Sequence, residues 1–151
     1  MLLIEEVKYS NRRRVMSTPG YPAQSLSPYE RVGGVKAIQS VVDHLYFLIM
    51  RDEQVKRYFN QAYLPSVKAH MVKLLSQLLG GPREYTGREL DDAHRHLCIE
   101  PEHYARVGRY VLASLLVHHV PEDIVEVVKD VLVAHEEVIV AAPRTGVGWS
   151  V

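Results

Sequence analysis

Along most of the chain, apolar residues recur every three or four positions, the spacing that gathers them on one face of an α-helix. Over 35–50 the stripe is Ile38, Val41, Val42, Leu45, Leu48 and Ile49, and the pair Gly33-Gly34 just before it marks a turn. A second stripe, Val67, His70, Met71, Leu74, Leu75 and Leu78, follows Pro65 and stops at Gly80-Gly81-Pro82. Proline suits a first helical turn and glycine a helix end. A third stripe (Tyr104, Val107, Val111, Leu112, Leu115) follows Pro101. A fourth (Ile124, Val127, Val128, Val131, Leu132, Val138) follows Pro121. The valines of the fourth suit a strand, but its length and the charges Glu126, Lys129 and Asp130 favour a helix. Shorter helical pieces are expected over 27–31, 54–59 and 88–94. With no strand pattern and no internal repeat, the fold class is all-α with four main helices.

Composition sets the outline around these helices. The chain of 151 residues, 47% of them apolar, is long enough for one domain with a closed core. Residues 1–27 break the helical pattern with Arg12-Arg13-Arg14, Ser17, Pro19, Gly20, Pro22 and Ser25. They read as an N-terminal extension, either a solvated tail or a contact arm for a membrane surface or a partner. Residues 141–151, with Pro143, Gly146 and Gly148, read as a second tail, which leaves 28–140 as the domain. Lys and Arg (18) balance Asp and Glu (18), and a zero formal charge argues against a dedicated nucleic-acid binder. The single cysteine, Cys98, excludes an intramolecular disulfide and a Cys-rich zinc site. No apolar run reaches the roughly 18 residues that a transmembrane segment needs. The opening MLLIEEVKYSNRRR puts Glu5 and Glu6 directly after a short apolar stretch, which is not a secretory signal. A soluble, cytoplasmic protein is expected.

Eight histidines are the remaining chemistry. His70 lies on the second apolar stripe, three residues after Val67 and four before Leu74. It is either a hydrogen-bonded core histidine or a group facing a metal or cofactor. His94 shares a face with Leu90, whereas His96, two residues on, points elsewhere. His118 and His119 close the third helix, where a cation suits the negative end of the dipole. His44, His103 and His135 suggest no site by themselves. HExxH is missing, the glycine pairs lack the Lys-Ser/Thr of a phosphate loop, and no nucleophile-elbow context surrounds any serine. Asp91/His94 and Glu100/His103 have the carboxylate-x-x-His spacing of di-iron bundles. However, the first long helix offers no inward glutamate to complete such a centre.

Several segments in order resemble the truncated haemoglobins of the first group (N-type). They are Ser27-Pro28-Tyr29-Glu30-Arg31-Val32-Gly33-Gly34, then Ala37-Ile38, Val41-Val42-Asp43, Tyr46, Arg51-Asp52 and Tyr58-Phe59. After these come Leu79-Gly80-Gly81-Pro82-Arg83-Glu84-Tyr85-Thr86-Gly87-Arg88, Ala93-His94, Ile99, Glu102-His103-Tyr104 and Val120-Pro121-Glu122-Asp123. The similarity covers residues 27–140. It implies a two-over-two helical sandwich around one haem b (iron protoporphyrin IX), binding diatomic gases (O2, NO, CO).

Residue by residue, the resemblance implies His94 as the proximal iron ligand, with its second ring N–H on an acceptor. Tyr46 matches the distal tyrosine that donates a hydrogen bond to the bound gas. Phe59 matches the aromatic packed on the haem face, and Leu74 and Leu75 line the distal side. Many relatives carry glutamine at one or both positions of Val67 and Met71. Here both are apolar, which leaves Tyr46 as the main donor. His70 matches a position where some relatives bind iron as a sixth ligand, so a hexacoordinate His94–Fe–His70 resting state is an expectation. Lys68 and Arg88 are weak candidates for the propionates. The covalent haem linkage of some relatives falls near Glu137 rather than at His135 and is not carried over. Implied activities are NO dioxygenation with a separate reductase, or O2 handling, in a monomer or weak dimer. A bis-histidyl electron-transfer protein and a haem-free helical interaction module are the rival readings.

Overall fold

The structure is a computed structural model in which residues 25–85 and 97–140 are described. The expected short helix over 88–94 and nearly all of both tails lie outside those residues. Helix α1 (Pro28–Val32) opens on a capping box: the Glu30 N–H donates to Ser27 Oγ at 3.2 Å, and the Ser27 N–H donates to the Glu30 carboxylate at 2.8 Å. Gly33, at φ 104°, ends α1 in the left-handed region and turns the chain into α2 (Gly34–Ile49). Two 3₁₀ turns (Lys56–Tyr58 and Gln61–Tyr63) lead to α3 (Leu64–Leu78), which holds Pro65 in its first turn. Helix α4 (Pro101–Val117) begins on its proline, and α5 (Glu122–Ile139) places Glu122 and Asp123 against the positive end of its dipole.

The four long stripes of the sequence are thus four long helices, each displaced by no more than a few residues from its expected span. The piece expected over 54–59 is only a 3₁₀ turn. Asp52 takes the Gln54 N–H on its side chain at 2.9 Å and the Lys56 N–H on its carbonyl at 2.8 Å. So short a segment never recovers the cost of nucleating an α-helix.

Helix α2 packs on α3 and α4 packs on α5, and the two pairs meet where α2 crosses α4. This is a two-over-two helical sandwich, with no strand among the described residues. Ile38, Val42, Leu45 and Ile49 of α2 meet Leu75 of α3, Val111 and Leu115 of α4, and Ile124 and Val128 of α5 in one core. The Tyr29 N–H donates to the Leu79 carbonyl at 2.8 Å, which pins α1 to the end of α3. The approach there requires glycine at 81: a Cβ would lie 2.6 Å from the Tyr29 ring and 2.8 Å from the Ser76 carbonyl oxygen. Arg31 forks onto Asp123 at 2.6 and 2.9 Å and joins α1 to α5. Among the described residues, no helix is long and apolar enough to cross a membrane.

Candidate functional site

The helix pairs do not close on each other completely. Between them lies an apolar crevice of about 180 Å³. A single water needs only about 10–15 Å³ on the same measure, and close-packed interiors leave few voids larger than that. One wall is Met71, Leu74, Leu75 and Leu78 of α3 with Phe59 ahead of it. The facing wall comes from Val107 and Val111 of α4 and from Val128, Val131 and Leu132 of α5. The α3 leucines at 74 and 78 are only half-buried because they face this opening rather than a filled core.

Polar groups at the walls are few, and most are already engaged. The Tyr104 hydroxyl donates to the Leu132 carbonyl at 2.6 Å, and burial, then the Glu136 charge, pushes its phenol up to about 12. Tyr58 Oη lies 2.8 Å from Nδ1 of the buried His103, with the Arg57 guanidinium donating to Tyr58 Oη at 3.2 Å and to the Glu100 carboxylate at 3.1 Å. In His135, also buried, Nδ1–H donates to the Val131 carbonyl at 2.8 Å. That fixes the tautomer and leaves the Nε2 lone pair on a side chain that lines the crevice.

Tyr46 differs from these groups. It is 3% exposed, its ring meets the Phe59 ring edge-on at 5.6 Å, and burial alone pushes its phenol above the ordinary tyrosine range. Its hydroxyl makes no hydrogen bond among the described residues. An O–H donor that the protein leaves without a partner is one to which a ligand can supply the acceptor.

The structure brings Phe59, Met71, Leu74 and Leu75 together in the crevice wall, with Tyr46 one ring behind Phe59. Val67 packs half-buried against the core and does not line the crevice. His70, expected on a buried face, is exposed on α3 and is not part of the crevice wall. Lys68, read as a propionate partner, is instead bound to Asp43 at 2.9 Å, because the two side chains meet across the α2–α3 surface. His94 and Arg88 lie outside the described residues. The described chain stops at buried Tyr85, whose N–H donates to Gln77 of the crevice wall at 3.1 Å, and resumes at Leu97, itself in the wall. Of the carboxylate–histidine alternative, Asp91 and His94 lie outside the described residues, and Glu100 is paired with Arg57 at 3.1 Å and lies 3.8 Å from His103 Nδ1.

Tyr58, Tyr104 and His135 have no role in the sequence reading, and His103 figures there only in the carboxylate–histidine alternative. The signal for His135 was present: it follows Val131 by four residues, on the apolar stripe of the last helix.

The walls fit a flat apolar macrocycle. The crevice is broad and apolar, an aromatic ring stands at its edge, and one unpartnered hydroxyl backs that ring. Comparison with known proteins agrees. The bacterial-like globin family model matches residues 27–137. The group 1 truncated haemoglobin GlbN of Synechocystis sp. is 32% identical over 101 residues, covering 64% of this chain and 82% of that protein. GlbN of Mycolicibacterium paratuberculosis is 30% identical, covering 68% of this chain and 76% of that protein. Among solved structures, truncated haemoglobin from Tetrahymena pyriformis in its Fe(III) form superposes with a TM-score of 0.69 at 23% identity, covering 78% of this chain and 100% of that one. Haemoglobin from Chloroflexus aurantiacus also gives a TM-score of 0.69, at 25% identity, over 78% of this chain and 100% of that one.

Proposed function

Because the chain belongs to the bacterial-like globin family, and within it to the group 1 truncated haemoglobins, we propose that its crevice takes haem b and offers it to O2, NO and CO. When bound, the haem supplies reversible attachment of diatomic gases and one-electron redox chemistry at its iron. The chain's own residues supply the rest. His94 is the imidazole that holds the metal from the segment leading into Leu97. Phe59, Met71, Leu74 and Leu75 keep water from the macrocycle faces, and Tyr46 donates its hydroxyl proton to the gas. Arg88, just ahead of that same segment, is the cation left for the propionates once Lys68 is tied to Asp43.

The observation that carries this reading is the pairing of a broad apolar crevice with the Tyr46 hydroxyl, one ring behind its wall, which makes no hydrogen bond among the described residues. An electron-transfer protein needs no such donor. The placement of His70 on the exposed side of α3 favours a resting state in which it is not an iron ligand. The activity that suits one donor in an apolar site is conversion of NO and O2 to nitrate, with electrons from a separate reductase.

Absorption spectra of the reduced protein test the reading, with and without CO, for the parent and for His70→Leu. A broad high-spin ferrous spectrum that shifts rapidly with CO, identical in both, is expected. Sharp low-spin bands that His70→Leu abolishes would restore the bis-histidyl reading.

A further inference from the structure

Where α2 meets α4, two imidazoles stand side by side at the surface, outside the crevice. His44 of α2 and His118, the C-cap of α4, have ring centroids 5.7 Å apart and planes inclined by 58°. One fully buried residue, Ser114, orients both. Its hydroxyl donates to the Tyr110 carbonyl at 2.8 Å, so toward His44 Nδ1, 3.2 Å away, it can only accept. The Ser114 carbonyl accepts from His118 Nδ1 at 2.8 Å. In both rings the proton is therefore on Nδ1, and the neutral imidazole carries its lone pair on Nε2. Neither Nε2 makes a hydrogen bond among the described residues. Phe47 stacks on His44 at 6.3 Å and 16° and holds that ring's orientation.

We propose that His44 and His118 form a binding site for a divalent transition cation of the Zn²⁺ and Ni²⁺ class, each ligating through Nε2. Three observations carry it. Imidazole is the ligand these cations favour. Metal-binding histidines characteristically commit the other ring N–H to a carbonyl or a similar acceptor, and here both commitments are already in place. The spacing also suits a shared ion: with metal–nitrogen bonds of about 2.0–2.1 Å and tetrahedral angles, two ligating rings have centroids about 5 Å apart. The observed 5.7 Å is within about an ångström of that separation. If the histidines served only to tie Ser114, that would explain both Nδ1 contacts but not two neighbouring rings whose Nε2 atoms make no hydrogen bond among the described residues. The protein supplies two ligands, and among the described residues no third His, Cys, Asp or Glu is placed to join them. Water completes the shell, so the ion exchanges. When bound, it bridges α2 and α4.

The test titrates Zn²⁺ by calorimetry into the purified full-length chain. One site per chain is expected. Its affinity falls at least tenfold in His44→Gln and in His118→Gln, and is unchanged in His119→Gln, an exposed neighbour. In a second measurement, on the unmodified protein, Ni²⁺ is added to a reduced, CO-saturated sample. The ring resonances of His44 and His118 should broaden before those of any other histidine. Absence of Zn²⁺ binding, unchanged affinity in both folded variants, or broadening that begins at other histidines overturns the proposal, and the nickel measurement decides should a variant fail to fold.

Discussion

Tyr46→Phe separates the part of the site that grips a gas from the part that holds the fold. The change deletes one oxygen from a ring that is 3% exposed, and it leaves the edge-on contact with Phe59 intact. The hydroxyl makes no hydrogen bond among the described residues, so the protein loses none and the fold should be nearly unaffected. Its raised pKa keeps the phenol protonated, hence a donor, across the physiological range. On the proposed function, what the variant loses is the donor to the ligand. A hydrogen bond to a partly charged acceptor in a dry site is worth about 1.5–3 kcal/mol, or about 10–150-fold in a dissociation rate. O2 release should accelerate by that factor. CO, a weaker acceptor, should leave at nearly the parent rate, and the melting temperature should hold. Stopped-flow displacement of O2 by CO measures the first, and a thermal melt the last. A change in O2 release below about twofold, which is about 0.4 kcal/mol, would refute the assigned role. So would a clear loss of thermal stability, since it would mean that the hydroxyl serves the fold.

Two further outcomes follow from the packing and the charges. Gly81→Ala drives a Cβ to 2.6 Å from the Tyr29 ring and 2.8 Å from the backbone oxygen of Ser76. Overpacking against backbone should cost about 1–3 kcal/mol, read as a lower urea midpoint with an unchanged slope; an unchanged midpoint would show that α1 yields freely. The Asp52 carboxyl is held below the usual carboxylate range by the Tyr110 hydroxyl at 2.6 Å first, then by the Gln54 N–H and by Arg106 at 3.2 Å. A depressed folded-state pKa gives stability that is present above the unfolded value of about 3.9 and lost as pH falls through the folded value. Asp52→Asn should therefore flatten the acid limb of a stability–pH curve below about pH 4, and parallel curves for the two proteins would contradict this reading.

The long helices were legible because each stripe is bounded by residues whose chemistry stops or starts a helix: Gly33, Pro65, Gly80, Pro101 and Pro121. What the stripes could not say is what each faces. Leu45 and Ile124 face a closed core, whereas Leu74 and Leu78 carry the same spacing and face the crevice. An apolar stripe reads alike in both cases, and so His70, on that stripe, was expected inside and stands outside. Partners far apart in sequence were equally hidden. Tyr58 and His103 are 45 residues apart, and Lys68 and Asp43 are 25 apart. Spacing along one helix carries no information about such pairs. The wall role of Phe59, Met71, Leu74 and Leu75 came from likeness to a family, and Phe59, beside a 3₁₀ turn, has no period to read.

The central claim, that His94 holds a haem iron against this crevice, is tested most directly by one spectrum. The apoprotein is titrated with haem, reduced, and scanned before and after CO, beside His94→Gly treated identically. A saturable one-to-one Soret band that sharpens and shifts with CO is expected in the parent. In His94→Gly that band weakens or turns into that of unligated haem, and added imidazole restores it. A parent without a Soret band, or a His94→Gly spectrum indistinguishable from the parent's, would contradict it.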